Sequence, residues 1–182
     1  MGLTLVRHTT PDIAPGVCYG RTDLDVTSQF PEEAAAVAAA LPSFRRIVTS
    51  PLSRCRKLAN FLSLRCDVPF REASGLIEMD FGRWERRAWA DIPRAELDAW
   101  AADFLHARPH GGESVSMLRA RVHETLSDIG AEWQRTGEPT LIITHSGVIR
   151  TALAKGNTAA DFDVNVDFGG FVTLSSEQGT IP

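Results

Sequence analysis

Short apolar runs alternate with longer stretches of helical periodicity along this chain. The short runs are rich in Leu, Ile, Val and Thr, which favours β-strands, whereas the longer stretches repeat apolar residues every three or four positions. The predicted strands cover residues 3–6, 46–49, 68–71 and 140–144, with one or two more within 166–175. The predicted helices cover residues 28–41, 50–64, 93–105, 114–135 and 147–154.

The helix starts carry recognisable signals. Ser114 is a good N-cap for the longest helix, whose apolar residues between 115 and 133 form one face. Pro51 suits a first helical turn. Strands that alternate with helices predict a three-layer α/β/α sandwich with a mostly parallel central sheet. At this length we expect one domain spanning residues 1–182.

Composition narrows the class of partner and the compartment. A formal net charge of −4 and a pI near 5.7 argue against the basic patch that nucleic-acid binding needs. No apolar run approaches the ~18 residues of a membrane span, and no secretory signal pattern is present. The three cysteines, Cys18, Cys55 and Cys66, lack metal-binding spacing and suggest reduced thiols. We expect a cytoplasmic protein without nucleic-acid or membrane partners, of undetermined oligomeric state.

Two predicted strands end in a histidine, in Arg7-His8 and in Thr144-His145. The carboxyl edge of an open α/β sheet is where ligands bind. A neutral imidazole nitrogen can attack a phosphoryl group, and arginines hold the phosphoryl oxygens. Arg7 would lower the pKa of His8 and keep its ring neutral near pH 7. Phosphoryl transfer through histidine is therefore one interpretation, and ordinary hydrogen-bonded histidines at strand ends are the other.

Two helix starts also suggest an anion site. Arg54 falls in the first turn of a predicted helix, where the macrodipole disfavours a cation unless an anion lies between them. Gly147 allows a ligand to approach the backbone closely, and the amides of Ser146 and Gly147 lie at another helix start. A solvated arginine paired with a carboxylate is the alternative for Arg54.

A general acid is expected in the stretch from residue 78 to 85. Glu78 is the leading candidate because a carboxyl group near Phe81 and Trp84 could protonate a leaving group. Asp80 and Glu85 are rivals that charge alone cannot separate from it. The alternative is a solvated turn with aromatic packing.

Five short segments with candidate site residues follow one another along nearly the whole chain. They are Arg7-His8, Ser50-Pro51-Leu52-Ser53-Arg54, Glu78-Met79-Asp80-Phe81-Gly82, Gly112-Glu113-Ser114 and Thr144-His145-Ser146-Gly147. Together they resemble the histidine phosphatase superfamily, whose fold is also called phosphoglycerate mutase-like. Each segment alone is weak, but their combination is specific.

The resemblance implies a role for each matching residue. By it, His8 becomes phosphorylated, and Glu78 donates a proton to the leaving oxygen and later takes one from water. The rest of the phosphate pocket would be Arg7, Arg54 and His145, with amides of Ser146 and Gly147, and with Glu113 and Ser114 nearby. The implied enzyme is a phosphoric monoester hydrolase whose partner is a small phosphorylated substrate. No metal and no organic cofactor are implied.

Several positions depart from the common family pattern. Thr9 stands where the family usually has a glycine after the nucleophile. The acidic residue and the asparagine that commonly follow are missing, and Thr10, Pro11 and Ala14 stand there instead. The Trp-Glu-Gly that often follows the acid segment is Trp84-Glu85-Arg86 in this chain. Residues 7–11 followed by 18–23 are instead similar to the α-ribazole phosphatases of cobalamin biosynthesis. That similarity implies that Tyr19, Gly20 and Arg21 lie at the substrate mouth.

Three other functions stay open at this point. A mutase would return the phosphoryl group to its substrate, although 182 residues leave little room for a lid over the site. A protein phosphohistidine phosphatase would need an open, shallow site. A non-catalytic module would bind phosphate-bearing partners without turnover.

Overall fold

A five-stranded sheet forms the centre of the molecule. The computed structural model describes residues 2–174. Its strands are β1 (Leu3–Arg7), β2 (Arg46–Thr49), β3 (Phe70–Glu72), β4 (Thr140–Thr144) and β5 (Phe171–Leu174). The strand order is β3-β2-β4-β1-β5, and only the β1–β5 pairing of this sheet is antiparallel. The mostly parallel sheet is as predicted.

Helices cover both faces of the sheet. They are α1 (Phe30–Ala40), α2 (Ser53–Cys66), α3 (Arg94–Ala102), α4 (Val115–Thr136) and α5 (Ser146–Leu153). Helices α4 and α5 pack on one face of the sheet, and α1 and α2 pack on the other. The predicted three-layer sandwich is therefore confirmed.

Strand residues alternate between the two cores. Leu5 joins the core under α4 and α5, whereas its neighbour Val6 joins the core under α1 and α2. In the same way, Val48 joins the core under α4 and α5, and Ile47 joins the core under α1 and α2. Successive strand side chains point to opposite faces, so a strand covered on both sides reads as a continuous apolar run.

The ends of α4 follow the predicted local signals. The Ser114 hydroxyl accepts a hydrogen bond from the Met117 amide at 3.2 Å, which caps the first turn. Gly137 ends the helix with φ of 70°, a left-handed conformation that suits glycine. Its amide donates to the Trp133 carbonyl at 2.7 Å.

Helix α3 and strand β3 differ from the sequence prediction. Helix α3 stops at Ala102 rather than at residue 105, because the chain turns to bring Phe104 and Leu105 against the core. Strand β3 begins at Phe70 rather than at residue 68. The Val68 amide instead donates to the Ser63 carbonyl at 3.2 Å and closes the end of α2.

Two further boundaries also differ. Helix α1 starts at Phe30, two residues after the predicted start, with a proline in its first turn. The predicted strand region 166–175 contains the single strand β5, because a turn precedes it. In that turn Gly169 has φ of 73°, and its amide donates to the carbonyls of Arg7 and His8. Residue 175 lies outside the described part of the chain.

Between β3 and α4 the chain forms short 3₁₀ turns around an aromatic cluster. The turns span Ser74–Leu76, Gly82–Trp84 and Trp89–Asp91. Trp84 is fully buried there and donates from its indole nitrogen to the Glu96 carboxylate at 2.6 Å. This segment lies beside the carboxyl edge of the sheet and supplies one wall of the site described below.

No helix in residues 2–174 combines the length and apolar character needed to cross a membrane.

Helix α2 offers a matched test of the core between helix and sheet. Leu58 is fully buried, whereas Leu64 of the same helix is 77% exposed. We expect Leu58→Ala to lower the free energy of unfolding by about 2–5 kcal/mol, because truncation leaves a cavity. Leu64→Ala should change it by no more than about 0.5 kcal/mol. Urea denaturation measures both, and equal losses in the two variants would contradict this packing.

Candidate active site

The strand register brings the two sequence-predicted histidines together. Arg7 pairs with Thr144 at the ends of β1 and β4, so His8 and His145 follow at the same edge of the sheet. Their ring centroids lie 5.2 Å apart. The His8 amide donates to the Thr144 carbonyl at 3.0 Å, which extends the pairing by one residue. Parallel strands therefore deliver both imidazoles to one place.

Two hydrogen bonds define the tautomer of His8. Its Nδ1 lies 2.7 Å from the Thr9 carbonyl, which is an acceptor, so Nδ1 carries the proton. Its Nε2 accepts from Nε of Arg54 at 3.2 Å, so Nε2 holds a lone pair. A ring oriented in this way presents an unprotonated nitrogen, which is what a nucleophilic histidine needs.

Burial keeps the His8 ring neutral. The side chain is 1% exposed, and this desolvation is the main reason that the pKa of His8 lies well below its usual value of 6.5. The Arg54 guanidinium lowers that pKa further, and Arg7 contributes less. The Thr9 carbonyl acts in the opposite direction. The sequence argument named Arg7 as the cause, whereas burial and Arg54 have the larger effects.

Arg54 is fully buried in the first turn of α2. Its terminal nitrogens donate to the carbonyls of Thr22 and Gly20, at 2.9 and 2.8 Å. Gly20 is required at its position, because a Cβ there would lie 1.9 Å from the Met79 carbonyl oxygen. The guanidinium is thus held by backbone carbonyls and directed at His8, and not by a surface carboxylate.

His145 lies behind His8 rather than on the pocket surface. It is fully buried, and its Nε2 lies 2.8 Å from the Ser50 hydroxyl and 3.5 Å from Sγ of Cys55. Burial lowers the pKa of His145 well below its usual value, and Arg54 adds to this effect. Burial also raises the pKa of Cys55 to about 12, so its thiol stays protonated.

Arg7 reaches the site from the end of β1. One terminal nitrogen donates to the Val166 carbonyl at 2.8 Å, and the guanidinium stacks over the Phe168 ring at 3.8 Å. The Phe168 ring also lies 5.6 Å from that of His8. Phe168 is 40% exposed and thus covers the solvent side of these two groups. Nothing in the local sequence pattern marked Phe168 for this position.

Glu78 faces the same space from the turn region. Its carboxylate accepts from the amides of Met79 and Gly147, at 2.8 and 2.9 Å. A Cβ at position 147 would lie 2.2 Å from Oε1 of Glu78, so a larger residue there would displace the carboxylate. The sequence argument assigned the Gly147 amide to an anionic ligand; in this structure that amide donates to the Glu78 carboxylate, and its role toward a ligand stays a prediction.

The rival carboxylates have other partners. Glu85 accepts from the amides of Arg21 and Thr22 and holds the loop that carries them. Asp80 accepts from the Gly82 amide at 2.8 Å. Among these three acidic residues, Glu78 is the one on the pocket wall.

The remaining sequence-predicted residues divide between the pocket and its support. Tyr19 lines the pocket, whereas the exposed Arg21 side chain lies 4.0 Å from the Asp80 carboxylate. Glu113 pairs with Arg121 at 2.7 Å. Arg121 in turn donates to the Glu78 carbonyl at 3.1 Å, so the Gly-Glu-Ser segment supports the proposed acid from behind. Arg121 was not singled out from the sequence.

A pocket of about 270 Å³ joins these groups. Its polar lining includes Arg7, His8, Tyr19, Glu78, Ser146 and Gly147. Its apolar lining is largely aromatic, with Phe81, Trp89, Trp100, Phe104 and Phe162. Two residues of α5 that the sequence analysis missed, Arg150 and Thr151, also line it. Spacing could have found them, since they follow Ser146 and Gly147 by one helical turn.

The described residues contain no group of three or more His, Cys, Asp or Glu side chains arranged to hold a metal ion.

An α/β sheet with two buried neutral histidines and two arginines at its carboxyl edge defines a class of phosphoryl-transfer enzymes. A model of the histidine phosphatase superfamily (branch 1) matches residues 3–166. The chain belongs to this superfamily, and it is a phosphatase.

Individual relatives agree with that family. The adenosylcobalamin/alpha-ribazole phosphatase of Salmonella typhimurium is 30% identical over 162 residues, covering 85% of this chain and 79% of that protein. The alpha-ribazole phosphatase from Shigella flexneri superposes with a TM-score of 0.80 at 27% identity, over 94% of this chain and 88% of that one. A mycobacterial glucosyl-3-phosphoglycerate phosphatase has a TM-score of 0.80 at 26% identity, over 93% and 87% of the two chains.

The buried histidines make stability depend on pH. Below about pH 6.5 the unfolded chain binds protons at both histidines, whereas the folded state keeps them neutral, so stability falls as pH falls through this window. Each histidine contributes up to about 1.4 kcal/mol per pH unit. We expect His145→Gln to give a shallower slope than the wild type between pH 6.5 and 5, measured by urea denaturation.

The matched control is His106→Gln, which removes an exposed histidine and should keep the wild-type slope. Parallel slopes for the wild type and His145→Gln would show that the buried ring is not neutral in the folded state.

Proposed function

We propose that this phosphatase hydrolyses small phosphomonoesters through a phosphorylated His8. The observation that carries the proposal is the orientation of a buried, neutral imidazole. The Thr9 carbonyl holds the proton on Nδ1, and Arg54 contacts the Nε2 lone pair. This arrangement supports His8, Arg7, Arg54 and Glu78 as the catalytic residues, and His145, predicted as catalytic from the sequence, as a positioning residue packed against the His8 ring.

In the first step, the Nε2 lone pair attacks phosphorus and the bond to the leaving oxygen breaks. The Nε–H of Arg54 now occupies that lone pair, so it would transfer its hydrogen bond to a phosphoryl oxygen as the substrate binds. Arg7 reaches the same oxygens from the other side. Protonated Glu78 gives its proton to the leaving oxygen. The ring gains positive charge, which the Thr9 carbonyl stabilises through Nδ1–H.

In the second step, water attacks the phosphohistidine. The Glu78 carboxylate takes a proton from that water as its oxygen bonds to phosphorus. The phosphorus–nitrogen bond breaks, its electrons return to Nε2, and phosphate leaves. The amides of Met79 and Gly147 keep the carboxylate facing the reaction centre in both steps. This cycle needs no redox chemistry and restores neutral His8.

The aromatic walls favour a leaving group with a flat apolar body. Phe81 and Trp89 pack edge to face, with ring centroids 5.7 Å apart, and Trp100 and Phe104 continue the same wall. Planar rings stack well against such surfaces. We propose α-ribazole 5′-phosphate, a benzimidazole nucleotide, as the first substrate to test. The names of the Salmonella and Shigella relatives support this choice.

We also propose that residues 1–182 form one domain that works in the cytoplasm. The support for this location is chemical, because Cys18, Cys55 and Cys66 are all free thiols.

The phosphohistidine intermediate can be trapped directly. We expect rapid acid-free quenching with phosphoryl-labelled substrate to leave label on the protein that is stable to alkali and lost in acid. His8→Gln should abolish this label and lower phosphate release by a factor on the order of 10³ or more, because the nucleophile is gone.

His123→Gln is the control, because His123 lies on α4 and does not line the pocket. It should keep both the label and the turnover. Unchanged phosphate release from His8→Gln would refute the proposed nucleophile.

The proposed substrate can be tested against its own fragment. Burial of one aromatic ring contributes about 2 kcal/mol, so kcat/KM for α-ribazole 5′-phosphate should exceed that for ribose 5-phosphate roughly thirtyfold. Trp89→Leu should reduce the first value and spare the second. Equal values for both substrates would exclude a base-recognising pocket. Isomerisation of 3-phosphoglycerate, followed in parallel, would indicate a mutase instead.

A further inference from the structure

Arg150 is a charged pocket residue that the proposed reaction does not use. It lies on α5, three residues after Gly147, and lines the same pocket as His8 and Glu78. Helical side chains tilt toward the N-terminus of their helix, and the N-terminus of α5 is the end next to His145. Arg150 therefore lies on the pocket side of this helix.

The Arg150 side chain has no partner among residues 2–174. Its Nε is buried and makes no hydrogen bond. The Nε of Arg7, the other arginine that lines the pocket, is also buried without a partner, but a terminal nitrogen of Arg7 donates to the Val166 carbonyl. A buried donor without an acceptor costs free energy, so a guanidinium left in this state is explained best by an acceptor that arrives with the ligand.

A second pocket residue has the same property. The indole nitrogen of Trp100 is buried without a hydrogen-bond partner, although Trp100 is part of the aromatic wall. Both oxygens of Glu78, the carboxylate on the pocket wall, already accept from backbone amides. The hydroxyl of Thr151 donates to the Gly147 carbonyl at 2.7 Å. The pocket thus contains two buried donors, on Arg150 and Trp100, that have no acceptor among residues 2–174.

We propose that Arg150 is a specificity-determining residue that donates a hydrogen bond to an acceptor atom on the leaving group of the substrate. This inference rests on the proposed phosphatase function of the same pocket and adds the class of leaving group. That class has a flat apolar body, which the aromatic wall contacts, and an exposed lone pair, which the guanidinium contacts. An aliphatic or unsubstituted aromatic leaving group would bind without satisfying Arg150.

Two kinds of leaving group carry such a lone pair. One is a neutral heterocycle, whose ring nitrogen accepts from the guanidinium. The other is a carboxylated ring, whose oxygens pair with it in a charge-assisted hydrogen bond. The shared chemistry is acceptance of a hydrogen bond from Arg150, and ligand binding can separate the two sources.

The test uses non-hydrolysable phosphonates, so it does not depend on turnover. Benzylphosphonate supplies the phosphonate and the ring without an acceptor. A benzimidazolylmethylphosphonate adds a neutral ring nitrogen, and 3- and 4-(phosphonomethyl)benzoate add a carboxylate. Isothermal titration gives Kd for each ligand with the wild type, Arg150→Met and Arg150→Lys.

We expect at least one acceptor-bearing ligand to bind the wild type about tenfold or more tightly than benzylphosphonate. Arg150→Met should abolish this preference, measured as the ratio of the two Kd values within that variant, because losing a pocket charge weakens the binding of every phosphonate. Arg150→Lys should restore part of the preference if the acceptor is a carboxylate, because it keeps the charge. A gain confined to the benzimidazole or to the benzoates identifies the source.

The inference is overturned if no acceptor-bearing ligand binds the wild type more tightly than benzylphosphonate, or if Arg150→Met keeps the preference. Thermal melting of the variants checks the fold, which should persist because the side chain has no partner to lose. Failure of the proposed function would instead show as absent His8 labelling with the phosphonate preference intact. The two failures are therefore distinguishable.

Discussion

The contact between Arg54 and His8 is the constraint on which the site depends. A permanently charged guanidinium placed 3.2 Å from Nε2 can be tolerated only by a neutral ring with its lone pair turned toward it. Burial of both side chains strengthens this requirement, because water cannot screen the two groups. The proton must then reside on Nδ1, where the Thr9 carbonyl accepts it. One contact thus sets the charge, the tautomer and the direction of the ring.

Most of the surrounding turns serve to hold that contact and its proposed acid. Glu85 accepts hydrogen bonds from the amides of Arg21 and Thr22. These bonds hold the loop whose carbonyls accept hydrogen bonds from Arg54. Arg121 binds the carbonyl of Glu78 and is itself paired with Glu113. The acidic residues of the turn region therefore act mainly as acceptors for backbone and for arginine. Their spacing in sequence does not reveal this, since partners such as Arg21, Thr22 and Gly147 lie far away along the chain.

Part of the site geometry follows from features that the sequence contains. His8 and His145 meet because each ends a buried strand and parallel strands align their carboxyl ends. The contacts of the Gly147 amide with Glu78 and of the Arg21 side chain with Asp80 could not be predicted in this way. Competition between a ligand and a nearby carboxylate for one donor depends on distances that only the folded chain defines.

The sequence by itself determined the order of elements, the two-sided sheet and the edge at which the polar groups gather. Local periodicity and capping specify these features, because each depends on residues close together along the chain. The tertiary structure alone decided which groups face the pocket and which stand behind it. His145 packs behind His8, whereas Trp100 and Arg150 line the pocket and Phe168 packs against His8 and Arg7. Such placement follows from packing between elements that are distant in sequence, and no local pattern records it.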